Sequence, residues 1–337
     1  MSAPQDPNFQ APPPPPMPEE EPVAPRPTKK LWPIAIGVFV LGLIFVVGGI
    51  AKFLSGGIGT GGALCFFGAL LFGLSFVRLP LVPNPEAPLS WFEKVTGIFY
   101  EPSRVFRNLR SQPLWIGAFL TIWVLTTIYT TAFIQRVTPE RIVEHTVEKI
   151  SQMGPPFAPP PEAIEGIRAN QMEALKNPMQ RVGGVLKSAV TVFIFACLAA
   201  ALSFLGILAF GGRINFWQAL AAVFYGAVPV IAIQKLLGLV ILYLKSPDDL
   251  HPILNAETTL QDNLGILLTP ADHPVLFVIA SFIGLTSLYG LWLRARGLHL
   301  AGTRVSKGTA WGVAITLWIL LLLFATIVTA LFPGFIS

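Results

Sequence analysis

Charge is scarce in this chain. Only 12% of its 337 residues are Asp, Glu, Lys or Arg, about half the share of a soluble globular domain. Hydrophobic residues make up 53%, and the mean hydropathy is +0.65. A water-soluble domain is excluded, and the apolar surface must face lipid. Acidic residues are missing from the long apolar runs altogether. All 18 carboxylates lie outside them, so the spans lack the Asp and Glu of proton relays and ion pathways. The two cysteines, Cys65 and Cys197, each sit inside an apolar run, where a thiol acts as a small hydrophobe. Neither belongs to a metal or redox motif. No GxSxG, HExxH, P-loop or dinucleotide glycine pattern stands in the strand and helix context its chemistry requires. No catalytic residue, no cofactor and no metal is expected. His251 and His273 flank an acidic loop with Asp248, Asp249 and Asp272, but the spacing matches no ligand motif and the carboxylates read as a solvated face. The pI near 9.3 does not point to nucleic acid, because the basic residues are spread over loops beside apolar runs, where they set orientation.

What the chain does have is a series of apolar runs near the ~20 residues that cross a hydrocarbon core of ~30 Å. They cover 31–54, 63–77, 114–134, 184–210, 217–244, 275–293 and 309–332. The fold class is all-α, a polytopic transmembrane helix bundle of seven predicted helices. Residues 1–30 are proline-rich with an acidic run at Glu19, Glu20 and Glu21, so they read as a disordered cytoplasmic tail. Pro12 to Pro16 read as spacer rather than as a polyproline ligand. The run after Lys29 and Lys30 is too long for a signal h-region, and the first helix is read as a retained anchor.

The first two runs form a transmembrane hairpin, 31–79, whose glycines Gly48, Gly49, Gly68 and Gly73 would let the backbones approach closely. A proline-rich linker, 80–90, separates it from a membrane domain over 91–337. That domain opens with an amphipathic segment, 91–110, broken near Pro102. Phe92, Val95, Phe99, Val105, Phe106 and Leu109 recur near helical spacing, with Lys94, Arg104, Arg107 and Arg110 on other faces. The segment either lies along the membrane surface or packs on the bundle. Between the third and fourth runs two short amphipathic helices flank the proline knot at 155–161, the first opened by Thr138 and Pro139.

Orientation follows from lysine and arginine. Thirteen fall on one side: Arg26, Lys29 and Lys30; Arg78, Lys94, Arg104, Arg107 and Arg110; Arg213; and Arg294, Arg296, Arg304 and Lys307. Seven fall on the other, six of them in the long 135–183 loop. The first side is therefore cytoplasmic, with the N-terminus inside and the C-terminus outside a bacterial inner (plasma) membrane.

From Trp91 onward the order of features resembles the YIP domain, the family of Ypt- or Rab-interacting membrane proteins, in its prokaryotic branch. The resemblance rests on three stretches. One is Trp91-Phe92-Glu93-Lys94-Val95 with Pro102, Phe106, Leu109, Pro113 and Trp115. Another is Phe216-Trp217-Gln218-Ala219-Leu220 running into Tyr225 and Pro229. The last is Gly297-Leu298 followed by Ser306-Lys307-Gly308-Thr309-Ala310. It implies five membrane helices. Eukaryotic relatives associate with small GTPases and with one another in vesicle traffic. Where they carry an Asp-Leu-Tyr-Gly-Pro type motif, the stretch Ile98-Phe99-Tyr100-Glu101-Pro102 keeps only the Tyr and Pro, which counts against a small-GTPase partner here.

Two functional readings follow. In the leading one the chain is non-catalytic and organises or binds other membrane components: the lipid bilayer, other membrane proteins or itself. Its contact surface is the tail together with Trp91, Phe92, Lys94, Phe99, Arg104, Phe106, Arg107 and Arg110. In the alternative it is a small-solute permease or channel subunit, with Gln218, Tyr225, Gln234 and Lys235 lining a path. An intramembrane enzyme ranks third. Only Lys187 and Lys235 interrupt the spans; Lys187 can snorkel, whereas Lys235 sits near the outer interface or near mid-membrane according to where its helix enters the bilayer.

Overall fold

The structure is a computed structural model that describes residues 32–51, 57–76, 87–151, 159–257, 259–270 and 272–331. The tail, most of the linker and the C-terminal residues 332–337 lie outside the described residues. Among the described residues the chain is helical with no named strand. In chain order the helices are α1 (Trp32–Ile50), α2 (Gly57–Leu74), α3 (Trp91–Tyr100), α4 (Pro102–Ser111), α5 (Ile116–Val137), α6 (Pro139–Ser151), α7 (Pro161–Lys176), α8 (Pro178–Ala209), α9 (Phe216–Leu244), α10 (Leu254–Glu257), α11 (Pro274–Ser281), α12 (Leu285–Ala301) and α13 (Lys307–Leu331).

Five of these, α1, α5, α8, α9 and α13, are long and apolar enough to cross a membrane. The chain is a multi-pass membrane protein, but among the described residues the expected seven uninterrupted spans are not found. The second predicted helix begins earlier than its apolar run and stays short. Its first two turns run along α1, because Gly57 and Gly61 lie on the α1 backbone: a Cβ at Gly61 would stand 2.5 Å from the Gly42 carbonyl oxygen and the Val46 nitrogen. Gly49 and Gly68 are also close-approach positions, whereas Gly73 meets nothing within 4 Å and carries no contact.

The predicted span 275–293 is a broken helix. α11 stops at Ser281 and α12 starts at Leu285, and the loop ahead of α11 supplies the hydrogen bonds that the opened backbone needs. Leu264 N–H donates to the Ile283 carbonyl at 3.0 Å and Leu285 N–H to the Asp262 carbonyl at 3.2 Å. The Asp262 carboxylate accepts the Thr286 N–H at 2.6 Å. Gly284 is needed at the crossing, because a Cβ there would lie 2.8 Å from that of Asn263.

α9 is the central element. It runs unbroken through the buried Pro229 and packs against α3, α4, α5, α8 and α12. Trp115 and Phe119 of α5's start, Phe193 of α8 and Phe224 of α9 form an aromatic cluster, with the Trp115 and Phe193 centroids 5.0 Å apart. Phe67 joins it at 5.0 Å from Phe193, and Thr60 fits onto Gly183, where only glycine leaves room. The hairpin is thus seated on α8 rather than held apart from the bundle. Lys187 is exposed and lies over Gly59 at the start of α2.

Candidate functional site

Polar and charged side chains gather at the two ends of α9. At the first end, Ser90 starts α3 with a reciprocal cap: its hydroxyl accepts from Glu93 N–H at 3.2 Å, and the Glu93 carboxylate accepts from Ser90 N–H at 2.7 Å. That pair holds the Glu93 carboxyl below its usual range. The break at Glu101 is followed by Pro102 in the first turn of α4, where a missing N–H costs nothing. α3 and α4 then fold onto the bundle, against α5, α9 and α12. Ile98, Val105, Phe106 and Leu109 are buried, and the Phe106 ring fills a notch at Gly297 of α12, 2.9 Å from where a Cβ would sit.

This corrects two of the expected contact residues. Phe106 faces the core, and Lys94 is 0% exposed. The Lys94 ammonium donates to the carbonyl of Gln112, the cap residue of α4, at 3.2 Å. The amine closes a helix C-terminus, where the dipole favours a cation, and burial lowers its pKa to about 8. Trp91 and Phe92, each 61% exposed, point outward with Phe99 and Tyr100. Arg104 and Arg107 are exposed and Arg110 half-buried. Gln218 is also structural. It forms the reciprocal cap of α9 with Asn215 and donates to the Arg110 carbonyl at 2.7 Å, tying α4 to α9. Tyr225 is fully buried, its hydroxyl without a hydrogen-bond partner among the described residues.

Lys235 lies 17 residues beyond Gln218, about 25 Å along the helix, so the four polar residues of α9 do not form one site. The structure separates Gln218 and Tyr225 from Gln234 and Lys235. The Lys235 ammonium lies 4.6 Å from the centroid of the Tyr129 ring and is 6% exposed, so it does not extend into water at the interface. Gln234 donates to the Thr286 hydroxyl at 3.1 Å. The acidic loop, expected to be a solvated face, covers this end in part. Leu250, Asn255 and Thr259 are buried, Tyr129 donates to the Asn255 carbonyl at 2.6 Å, and Thr259 donates to the Gly238 carbonyl at 2.8 Å. Tyr129, Thr286 and Asp262 carry no pattern in the sequence that marks them. The roles of Thr286 and Asp262 follow from a helix break whose partner is 24 residues away, and that of Tyr129 from a contact with Asn255, 126 residues on.

Beside that cover, a cleft of about 490 Å³ is lined by Arg141, Glu144, His145, Glu148, Asp248 and His251 among others. His251 meets His145, with the rings 4.8 Å apart, and not His273. Its Nδ1 accepts from the N–H groups of Ile253 and Leu254 at 3.1 and 3.0 Å, capping α10. Burial holds both imidazoles below their usual pKa, with Lys149 and Arg141 adding to the shift. Among the described residues no group of three or more His, Cys, Asp or Glu converges as a metal site.

A family model described as the Yip1 domain matches residues 96–328, from the middle of α3 to near the end of α13. No curated protein matches the chain, and no solved structure does.

Proposed function

The chain belongs to the Yip1 domain family, and on that premise we propose that it is a non-catalytic membrane protein that binds or organises other membrane components through α3–α4. One observation carries this reading. Trp91, Phe92, Phe99 and Tyr100 remain exposed on a helix pair that is otherwise locked into the bundle, with Arg104 and Arg107 beside them. Rigid exposed aromatics with arginine are the composition of an interaction surface. The partners are lipid, other membrane proteins or a second copy. The departed motif at 98–102 argues against a small GTPase. Loop charge places this end in the cytoplasm of a bacterial inner membrane. Cysteines introduced at Thr303 and Asp249 in a chain lacking Cys65 and Cys197 test it: an impermeant thiol reagent should label only the second in intact cells.

A photo-cross-linker at Phe92 or Tyr100 should capture partners from native membranes, and one at Val240, exposed near the other end of α9, should capture lipid only. Identical capture at both positions would remove the reading. The helix break beside Gln234 and Lys235 favours the second reading, because discontinuous helices mark solute sites in transporters. Under the leading reading Lys235→Met keeps abundance and partner recovery. Solute flux in reconstituted vesicles that vanishes in that variant would establish the permease instead.

A further inference from the structure

Between α12 and α13, at the end of the bundle that carries α3–α4, a cavity of about 120 Å³ is lined by Trp292, Ala295, Arg296, His299, Lys307 and Trp311. Trp292, Arg296 and His299 share one face of α12 through helical spacing, as Lys307 and Trp311 do on the first turns of α13. Arg296 is held in place. Its Nε and Nη2 donate to the Ser103 hydroxyl of α4 at 2.9 and 2.6 Å, and its guanidinium lies 5.5 Å from the centroid of the Trp292 ring. Three of its five N–H groups remain for another acceptor. The His299 Nδ1 donates to the Val305 carbonyl at 2.6 Å, which leaves its Nε2. No carboxylate lines the cavity, and neither Arg296 nor Lys307 pairs with one among the described residues.

We propose that this cavity holds the phosphate of an anionic phospholipid headgroup, with Arg296 and Lys307 as its contacts. The volume is enough for a phosphate group. Two indoles at the rim are the side chains that settle at a membrane interface, and the apolar run of α13 leads from Lys307 straight into the bilayer. Basic pockets between helices on the cytoplasmic side suit acidic headgroups. A zwitterionic headgroup would bring an ammonium group that finds no acid in the lining. The inference rests on the proposed function and names one class of membrane component.

The test uses the full chain in neutral detergent, titrated with phosphatidylglycerol, with phosphatidylcholine of the same acyl chains and with inorganic phosphate. Native mass spectrometry counts what is bound. Phosphatidylglycerol should bind, and the combined Arg296→Gln and Lys307→Gln change should weaken it about twenty-five-fold, from about fivefold per basic residue near an anionic surface. Arg213→Gln with Arg304→Gln, exposed basic residues of the same end outside the cavity, should leave it unchanged. Trp311→Leu gives a second variant if the double change does not fold, and it should also weaken binding. Equal binding of the two lipids, or unchanged affinity in the double and Trp311 variants, overturns the proposal. Displacement by inorganic phosphate assigns the cavity to a free anion and overturns it as well. If the lipid result fails while cross-links at Phe92 persist, the site falls and the proposed function stands.

Discussion

The two ends of α9 each bury a lysine, and they cover it in different ways. Over the first end the cover is helical. α3 and α4 satisfy their own backbones, and Lys94 completes the α4 terminus. Over the other end the cover is a loop, 246–257 and 259–270, that pairs its own backbone only in short helical turns and is tied to the bundle by a few bonds: Tyr129 to the Asn255 carbonyl, Thr259 to the Gly238 carbonyl and Thr286 N–H to the Asp262 carboxylate. A helical cover opens only with the bundle, whereas a loop held by single side chains opens locally at much lower cost. The first end is thus suited to present a fixed surface, and the second is where the molecule can change shape.

The largest predicted effect tests the helical cover. Phe106→Ala should cost about 3–5 kcal/mol, the usual loss for a fully buried aromatic, read as a lowered midpoint of thermal unfolding in detergent. A loss under about 1 kcal/mol would mean that α3–α4 lies on the membrane and not on the bundle. Next comes the loop cover. Asp262→Ala removes the carboxylate that accepts Thr286 N–H and should cost about 1–3 kcal/mol, with faster hydrogen exchange at the start of α12. Asp262→Asn should recover part of this, since its amide oxygen still accepts. Unchanged exchange in both variants would show that the break is held by other contacts. Gln218→Ala removes half of the α9 cap and the tie to Arg110, and about 1 kcal/mol should be lost. Because helical packing backs up that end, exchange of α4 should stay slow.

How far the sequence discloses this arrangement depends on how local each cause is. The spans α5, α8, α9 and α13 are legible because each is an uninterrupted apolar run, and the break at Pro102 because proline begins helices and does not continue them. The interruption at 282–284 is not legible. Residues 275–293 are as apolar as a span, and the acceptor that stabilises the gap, Asp262, is 24 residues from Thr286. Lys94 reads as a surface charge, since nothing near it shows that the α4 carbonyl at Gln112 will need a donor. Among the hairpin glycines the crossing geometry decides: Gly68 meets the Phe39 backbone and Gly73 meets nothing, though both look alike in the run. Of the expected contact residues, Trp91, Phe92 and Phe99 are exposed and Lys94 and Phe106 buried, because α3 turns Lys94, Gly97 and Ile98 to the bundle and not its Phe92 and Phe99 face. Gln218 and Gln234 separated because Gln234 is 16 helical residues on, about 24 Å along α9.

The smallest predicted effect concerns acid and acts on the loop cover alone. His251 accepts two backbone N–H bonds at Nδ1, which only the neutral ring can do, since an imidazolium has no free lone pair. Burial depresses its pKa from the ordinary 6.5, and His145, Lys149 and Arg141 add to this. Glu144 and Glu148 of α6 and Asp248 and Asp249 of the preceding turn face the same cleft and pull the other way without reversing it. A histidine with a lowered pKa in the closed state binds protons more readily once the loop opens. The closed loop therefore keeps its full stability above about pH 6.5 and loses it as the pH falls below that value toward the depressed one. Hydrogen exchange at residues 253–256 should accelerate between pH 7.5 and 5, after correction for intrinsic rates, while exchange in α3 and α4 should not change. His251→Asn supplies an oxygen that accepts the same N–H bonds at any pH. That variant should match the wild type at neutral pH and lose the acceleration in acid. If it keeps the acceleration, the loop is released by His145 or the carboxylates and not by the cap of α10.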